Sequence, residues 1–310
     1  MRRATVLATV VLAGALTVVV AAQRGGRGGA FGGPPSADAI EVEKVTDNLF
    51  VLRGGGGNTA AFVRSDGVVL VDTKLTGWGQ PIIDKLGTLT DKPVTTIINT
   101  HTHFDHVNGN VEFPATVEIV THENTARYMK EWNPVFGLEL DNPNPFAASG
   151  GRGMPTRTFT DTLSLGSGGD RVDLHFYGPA HTGGDTWIVF PAARVMHTGD
   201  AFPNKSTPLM DRNNGGSGVR YADTLAKAAA TPGVDRVITG HSAVMPVADL
   251  QQYARFIDDL VTAARQAKTN GLTTDEFAES WKIPEGYDGY TQPQPDALRT
   301  IAQVIWAETD

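Results

Sequence analysis

The 310-residue chain contains no cysteine, so it has no disulfide framework, and no thiolate can act as nucleophile or metal ligand. That absence fits an oxidising compartment without requiring one. Positive charge is also scarce: Lys and Arg number 26 against 34 Asp and Glu, for a net charge of −8. A phosphate backbone needs a basic surface, so this balance disfavours nucleic acid as a partner. No Gly-x-Ser-x-Gly elbow is present to carry a serine nucleophile, and no internal repeat stands out.

What remains is a chain long enough for a substantial core, with 35 glycines and short apolar runs that suit an α/β domain with many turns. At the N-terminus, Arg2 and Arg3 precede an apolar segment, Ala4 to Ala22, that ends in small residues. This pattern predicts a signal peptide over 1–22 and hence a periplasmic or secreted protein. An uncleaved anchor is the competing reading, because the run approaches the length of a membrane-spanning helix. The twin arginine lacks the usual flanking residues of its export signal. Cleavage would take the net charge to about −10. Residues 23–37 are rich in Gly and Pro and read as a linker.

Apolar runs at Asn48–Leu52, Thr59–Val63 and Gly67–Val71 predict antiparallel hairpins, the first two flanking a Gly54–Gly57 turn. The turn reads either as a plain hairpin connection or as a mobile flap over a site. Further strands are expected at Val94–Ile98, Val117–Val120, Arg171–Tyr177, Thr186–Phe190, Arg194–Met196 and Val234–Ile238. Helices are expected at Gln80–Leu89, Asn124–Trp132, Tyr221–Ala230, Ala248–Lys268 and Pro295–Ala307, with a capping box opening at Thr273. The stretch Asn133–Arg157, dense in Pro, Asn and Gly, reads as a substrate-facing insertion or as plain surface irregularity, with Phe136, Leu138, Leu140 and Phe146 interspersed.

Histidine is uncommon here, eight in all, yet three fall within Thr100-His101-Thr102-His103-Phe104-Asp105-His106. The β-branched Val94–Ile98 run delivers this stretch into a loop. One short segment then supplies several ligands, so little extra chain must be ordered to close a metal site. Imidazole and carboxylate donors suit zinc. Asp72, His181, Asp200 and His241 also follow expected strands, with glycines beside several of them. His122, His175 and His197 read as ordinary polar or core residues, His197 with possible support of a nearby ligand as the alternative.

The ordered set Asp72, His101-x-His103-x-Asp105-His106, His181, Asp200 and His241 resembles the metallo-β-lactamase superfamily over roughly residues 38–250, leaving 251–310 as C-terminal helices packed on that domain. The resemblance implies a four-layer αββα sandwich with metals at one edge. It implies one zinc held by His101, His103 and His181, a second by Asp105, His106 and His241, and Asp200 bridging them. Iron or manganese are the alternative metals. Asp72 would orient the ligand loop through hydrogen bonds. A water between two cations has its pKa lowered towards about 7, so the implied reaction is hydrolysis by hydroxide, with Asp105 orienting the water. The expected substrate is a small amide, ester or lactone, in β-lactamase-like chemistry. Lys205 lies where some members recognise a substrate carboxylate, though its spacing departs by one residue and a solvated loop lysine is the other reading. Asp200 stands where established lactamases carry cysteine or serine, and resembles the bridging aspartate of glyoxalase II and lactonases. A glyoxalase II-like thioesterase and an iron-dependent sulfur dioxygenase are therefore the alternatives.

Overall fold

The computed structural model describes residues 34–136 and 143–309. The expected signal segment, most of the Gly/Pro linker, and Leu138 and Leu140 of the insertion lie outside these residues. Among the described residues, no helix is long and apolar enough to cross a membrane.

Seven strands form the first sheet: β1 Glu41–Lys44, β2 Leu49–Arg53, β3 Thr59–Val63, β4 Val68–Val71, β5 Val94–Ile98, β6 Glu118–His122 and β7 Arg157–Phe159. They lie in chain order. The pairs from β1 to β4 are antiparallel, as the hairpin signals predict, and those from β4 to β7 are parallel. The second sheet contains β8 Thr162–Leu165, β9 Val172–His175, β10 Trp187–Phe190, β11 Val195–His197, β12 Arg236–Ile238 and β13 Met245–Pro246, with order β13-β12-β11-β10-β9-β8. Strands β1, β7, β8 and β13 escape the sequence reading. Glu41-Val42-Glu43-Lys44 has no apolar run, and β1 exists through its pairing with β2, helped by the Arg53–Glu43 ion pair.

Side-chain alternation along the strands builds the layers. In β4, Val69 and Val71 face the second sheet, while Val68 and Leu70 face outward onto α1, Gly79–Leu86. In β10, Ile188 and Phe190 face inward, and Phe190 meets Phe62 of β3 with ring centroids 5.1 Å apart. Trp187 and Val189 face the other way, into a helical layer.

The helices on the first sheet's side continue with α2, Phe104–Val107, and α3, Glu123–Glu131. His122 caps α3, its Nδ1 accepting from Asn124 N. The insertion contains a short helix, α4, Pro145–Ala148, whose Phe146 is buried against Val107 and Met129. The outer layer of the second sheet comprises α5 Gly218–Ala229, α6 Val247–Thr269, α7 Thr274–Ser280 and α8 Pro295–Ala307. Leu225, Tyr253, Phe256, Leu260 and Ile305 share one core with Trp187 and Met196, so the tail helices form a layer of the sandwich. The boundary drawn at residue 250 falls inside α6. Thr273 and Glu276 make the expected capping box.

Candidate metal centre

The expected ligands come from loops at one end of the two sheets. Asp72 directly follows β4, β5 leads into the His101–His106 loop, β11 leads to Asp200, and β12 leads to His241. His181 lies between β9 and β10. Asp72 and Lys74 both have left-handed backbone conformations, φ 62° and 68°, uncommon for residues with a Cβ and held here by surrounding bonds.

The ring nitrogens converge. Nε2 of His181 lies 3.0 Å from Nδ1 of His103, and Nε2 of His106 lies 3.3 Å from Nε2 of His241. Asp200 lies between the two groups: Oδ1 is 3.2 Å from His106 Nε2, while Oδ2 is 3.1 Å from His241 Nε2 and 3.9 Å from His181 Nε2. Oδ2 of Asp105 is 3.3 Å from His241 Nε2. Three overlapping ligand sets result: His101, His103 and His181; His101, His106 and Asp200; Asp105, His106 and His241. Gly240 permits the close approach, since a Cβ there would sit 1.9 Å from Asp200 Oδ1.

Four of the five imidazoles are fixed from behind. His101 Nδ1 bonds the Thr100 hydroxyl at 2.9 Å, His103 Nε2 bonds Asp211 at 2.8 Å, His106 Nδ1 bonds Asp72 at 2.7 Å, and His181 Nδ1 donates to Leu209 O at 2.8 Å. Asp72 also accepts from Thr100 N and Thr100 Oγ1, so it supports His106 directly and His101 through Thr100. This arrangement fixes which nitrogen of each ring faces the centre.

The donor set fits metal ions. His101 Nε2 and Asp200 Oδ1 are buried without a hydrogen-bond partner, in a shell otherwise made of nitrogen and carboxylate donors. Burying such groups unpaired is costly unless a cation satisfies them. Electrostatics divides the site. Burial holds His101 well below the ordinary histidine range, with His106, His103 and His181 adding to the effect, and burial followed by His103 brings His181 down to about 4. Both are thus neutral imidazoles, the ligating form. Burial also opposes the charge on His106, but Asp200, Asp105 and Asp72 outweigh it and raise its pKa well above the usual value. His241 is raised against its burial, chiefly by Asp200.

The glycine turn is not a flap. Gly57 N donates to Asp105 O at 2.9 Å, Leu75 N to Gly55 O at 3.1 Å, and the buried Lys74 ammonium to Leu52 O and Gly57 O at 2.8 and 2.7 Å. A Cβ at Gly57 would lie 2.2 Å from the His106 ring, so the turn packs beneath the ligands. Lys205 is paired to Asp249 at 2.8 Å, and a substrate anion would compete with that carboxylate. His122 bonds Thr160 O and stacks on Phe176, and His175 stacks on Tyr177. His197 is buried, donates from Nε2 to Asn58 O at 3.2 Å and accepts from Gly199 N at Nδ1, which agrees with its neutral form.

Sequence reasoning missed Asp211, Thr100, Asn58 and Lys74, and named Phe136 only within the insertion read as substrate-facing or irregular. Asp211 bonds Phe136 N with its other oxygen, and the Phe136 ring lies edge-on to His103 at 5.3 Å. None of these residues belongs to a spaced run of ligand types.

A two-sheet sandwich with helices on both outer faces and a His/Asp cluster at one end is the metallo-β-lactamase architecture. Residues 52–241, more than half of the chain, match the model of the metallo-beta-lactamase superfamily, and the chain belongs to that family. It is 28% identical over 166 residues to the 2,4-dinitroanisole O-demethylase subunit alpha of Nocardioides sp. (strain JS1661), covering 52% of this chain and 46% of that one. It is 22% identical over 270 residues to the linear primary-alkylsulfatase of Pseudomonas sp. (strain ATCC 19151), covering 73% and 50%. The chain thus spans about half the length of these curated relatives. Among solved structures, the sec-alkylsulfatase Pisa1 from Pseudomonas sp. superposes with TM-score 0.63 at 17% identity, over 87% of this chain and 50% of that one. A metallo-beta-lactamase from Pontibacter korlensis superposes with TM-score 0.56 at 19% identity, over 71% and 99%. These superpositions share the fold.

Proposed function

We propose that this chain is an exported dinuclear zinc hydrolase acting on a small ester, lactone or amide, with no nucleic-acid partner. The observation that carries the reading is Asp200, which sits 3.2 and 3.1 Å from His106 and His241 in the set Asp105, His106, His241 and reaches 3.9 Å to His181 of the set His101, His103, His181. Two divalent cations held by these residues would supply Lewis acidity, which lowers the pKa of a nearby water towards about 7 and polarises the oxygen at the scissile bond. The chain's own residues do the rest. Asp105, with Oδ2 3.3 Å from His241 Nε2, orients the attacking water and takes its proton. Asp72, Thr100 and Asp211 keep the imidazoles in the ligating tautomer. Phe136 walls one side of the cluster with an apolar ring and limits access of bulk water.

A second reading, cleavage of an alkyl sulfate ester, is favoured by one observation. Similarity to the alkylsulfatases covers 73% of the chain in sequence and 87% in fold, more than the family match itself spans.

Elemental analysis of purified protein tests the site, with two zinc ions per chain expected and a single iron overturning the hydrolase reading. A panel of lactone, carboxylic ester, β-lactam, thioester, aryl ether and alkyl sulfate substrates tests the reaction. Turnover of the alkyl sulfate alone would replace the first reading with the second. Secretion of the full chain, followed by N-terminal sequencing, tests export; a protein retained in the cytoplasm would remove that part.

A further inference from the structure

The fifth imidazole is held differently from the other four. Among the described residues, no protein group hydrogen-bonds Nδ1 of His241, and its side chain is 20% exposed while the other six expected ligands are buried. Its own backbone contacts are long: Gly240 N to Phe202 O and His241 N to Pro203 O, both at 3.4 Å. The short bonds to this turn come from Asn58, at the end of the glycine turn and 4% exposed. Asn58 N donates to Gly240 O at 2.7 Å, and Nδ2 donates to Thr239 O at 2.9 Å and to Ser242 O at 2.7 Å. Three bonds from one residue therefore grip both sides of His241. The Asn58 carbonyl accepts from His197, whose other nitrogen accepts from the amide of Gly199, next to Asp200. One residue is thus tied both to the His241 turn and to the turn that carries the shared carboxylate.

We propose that Asn58 is the positioning residue of the site formed by Asp105, His106 and His241, replacing the missing partner behind His241 by fixing the backbone on either side of it. The proposal rests on the two-site reading above. A side-chain amide is required because two of the three carbonyl acceptors, Thr239 O and Ser242 O, are met by Nδ2, while Gly240 O is met by the backbone N–H. Asp at this position would keep the shape but turn a carboxylate towards two of them. A ligand that depends on its backbone for orientation loses affinity when that backbone is released, by about 10- to 100-fold for groups that support ligands from behind.

The test is release of zinc from the holoprotein against graded chelator, read by elemental analysis, for wild type, Asn58→Asp and Asn58→Ala. Thermal unfolding of each checks that the variants fold. In the variants one ion should dissociate about 10- to 100-fold more readily while the other stays within about twofold of wild type. In a His241→Ala background, Asn58→Asp should change release of the remaining ion by less than about twofold, because the two residues act on the same site. Two ions in wild type with unchanged release in both variants would overturn the clamp alone, as would equal weakening of both ions. A wild-type protein that takes up one ion would overturn the two-site reading and the clamp with it.

Discussion

Around His101, His103 and His181 each ring has one nitrogen bonded to the protein and the other aimed at the centre, and all three are buried. At His241 the ring has no such bond, and the turn that carries it is gripped from across the sheets by Asn58. The electrostatics follow the same division. His101 and His181 are neutral, while His106 and His241 lie among the carboxylates of Asp105 and Asp200. The difference teaches that four rings of the centre are pre-formed by bonds to their own nitrogens, while the fifth, His241, depends on loops meeting correctly. The half that contains this unbonded ring also carries Asp105, the proposed proton acceptor.

Four substitutions bear on this contrast. Asp105→Asn has the largest expected effect, a fall in turnover of about 10²- to 10⁴-fold with the thermal midpoint retained. Turnover equal to wild type would remove Asp105 from the chemistry and the functional contrast with it. Next comes a pair. Asp72→Ala should weaken both ions by about 10- to 100-fold, because it supports a ligand in each half, whereas Asp211→Ala should weaken only the ion at His103. Chelator competition on both variants decides; equal patterns would erase the distinction between the halves. Gly57→Ala should cost about 1–3 kcal/mol in urea unfolding, because its methyl group meets the His106 ring, and a stable variant would show that the turn yields.

The smallest effect concerns Lys74. Burial, only partly offset by Asp72 and Asp105, lowers its pKa from 10.5 to about 7. Between those two values the unfolded chain keeps a proton that the folded chain has released, so this group's contribution to stability rises with pH across that window. Lys74→Met should remove that rise. Urea unfolding of both proteins at about pH 7.5 and 9.5 measures it, and parallel curves would mean that Lys74 keeps its charge.

The parts legible in the sequence were those encoded locally. The Val94–Ile98 run and the His-x-His-x-Asp-His spacing each place their residues without reference to distant chain, and the family motifs order the remaining ligands. Asn58, Thr100 and Asp211 carry no such signature, because their roles depend on partners up to 184 positions away, as in the Asn58–Ser242 bond. The Gly54–Gly57 turn left two readings open because four glycines denote backbone freedom in isolation, while here three of them take positive φ and a Cβ at Gly57 would meet His106. Strand β1 was invisible because its burial is slight and its order comes from pairing.

The donors are contributed by both sheets, with His101, His103, Asp105 and His106 from one and His181, Asp200 and His241 from loops of the other. Ions seated there act as rivets between the two halves of the sandwich and are released when it comes apart. With such ions bound, the melting temperature would be a joint property of the polypeptide and the free metal in its buffer, climbing with the logarithm of metal concentration.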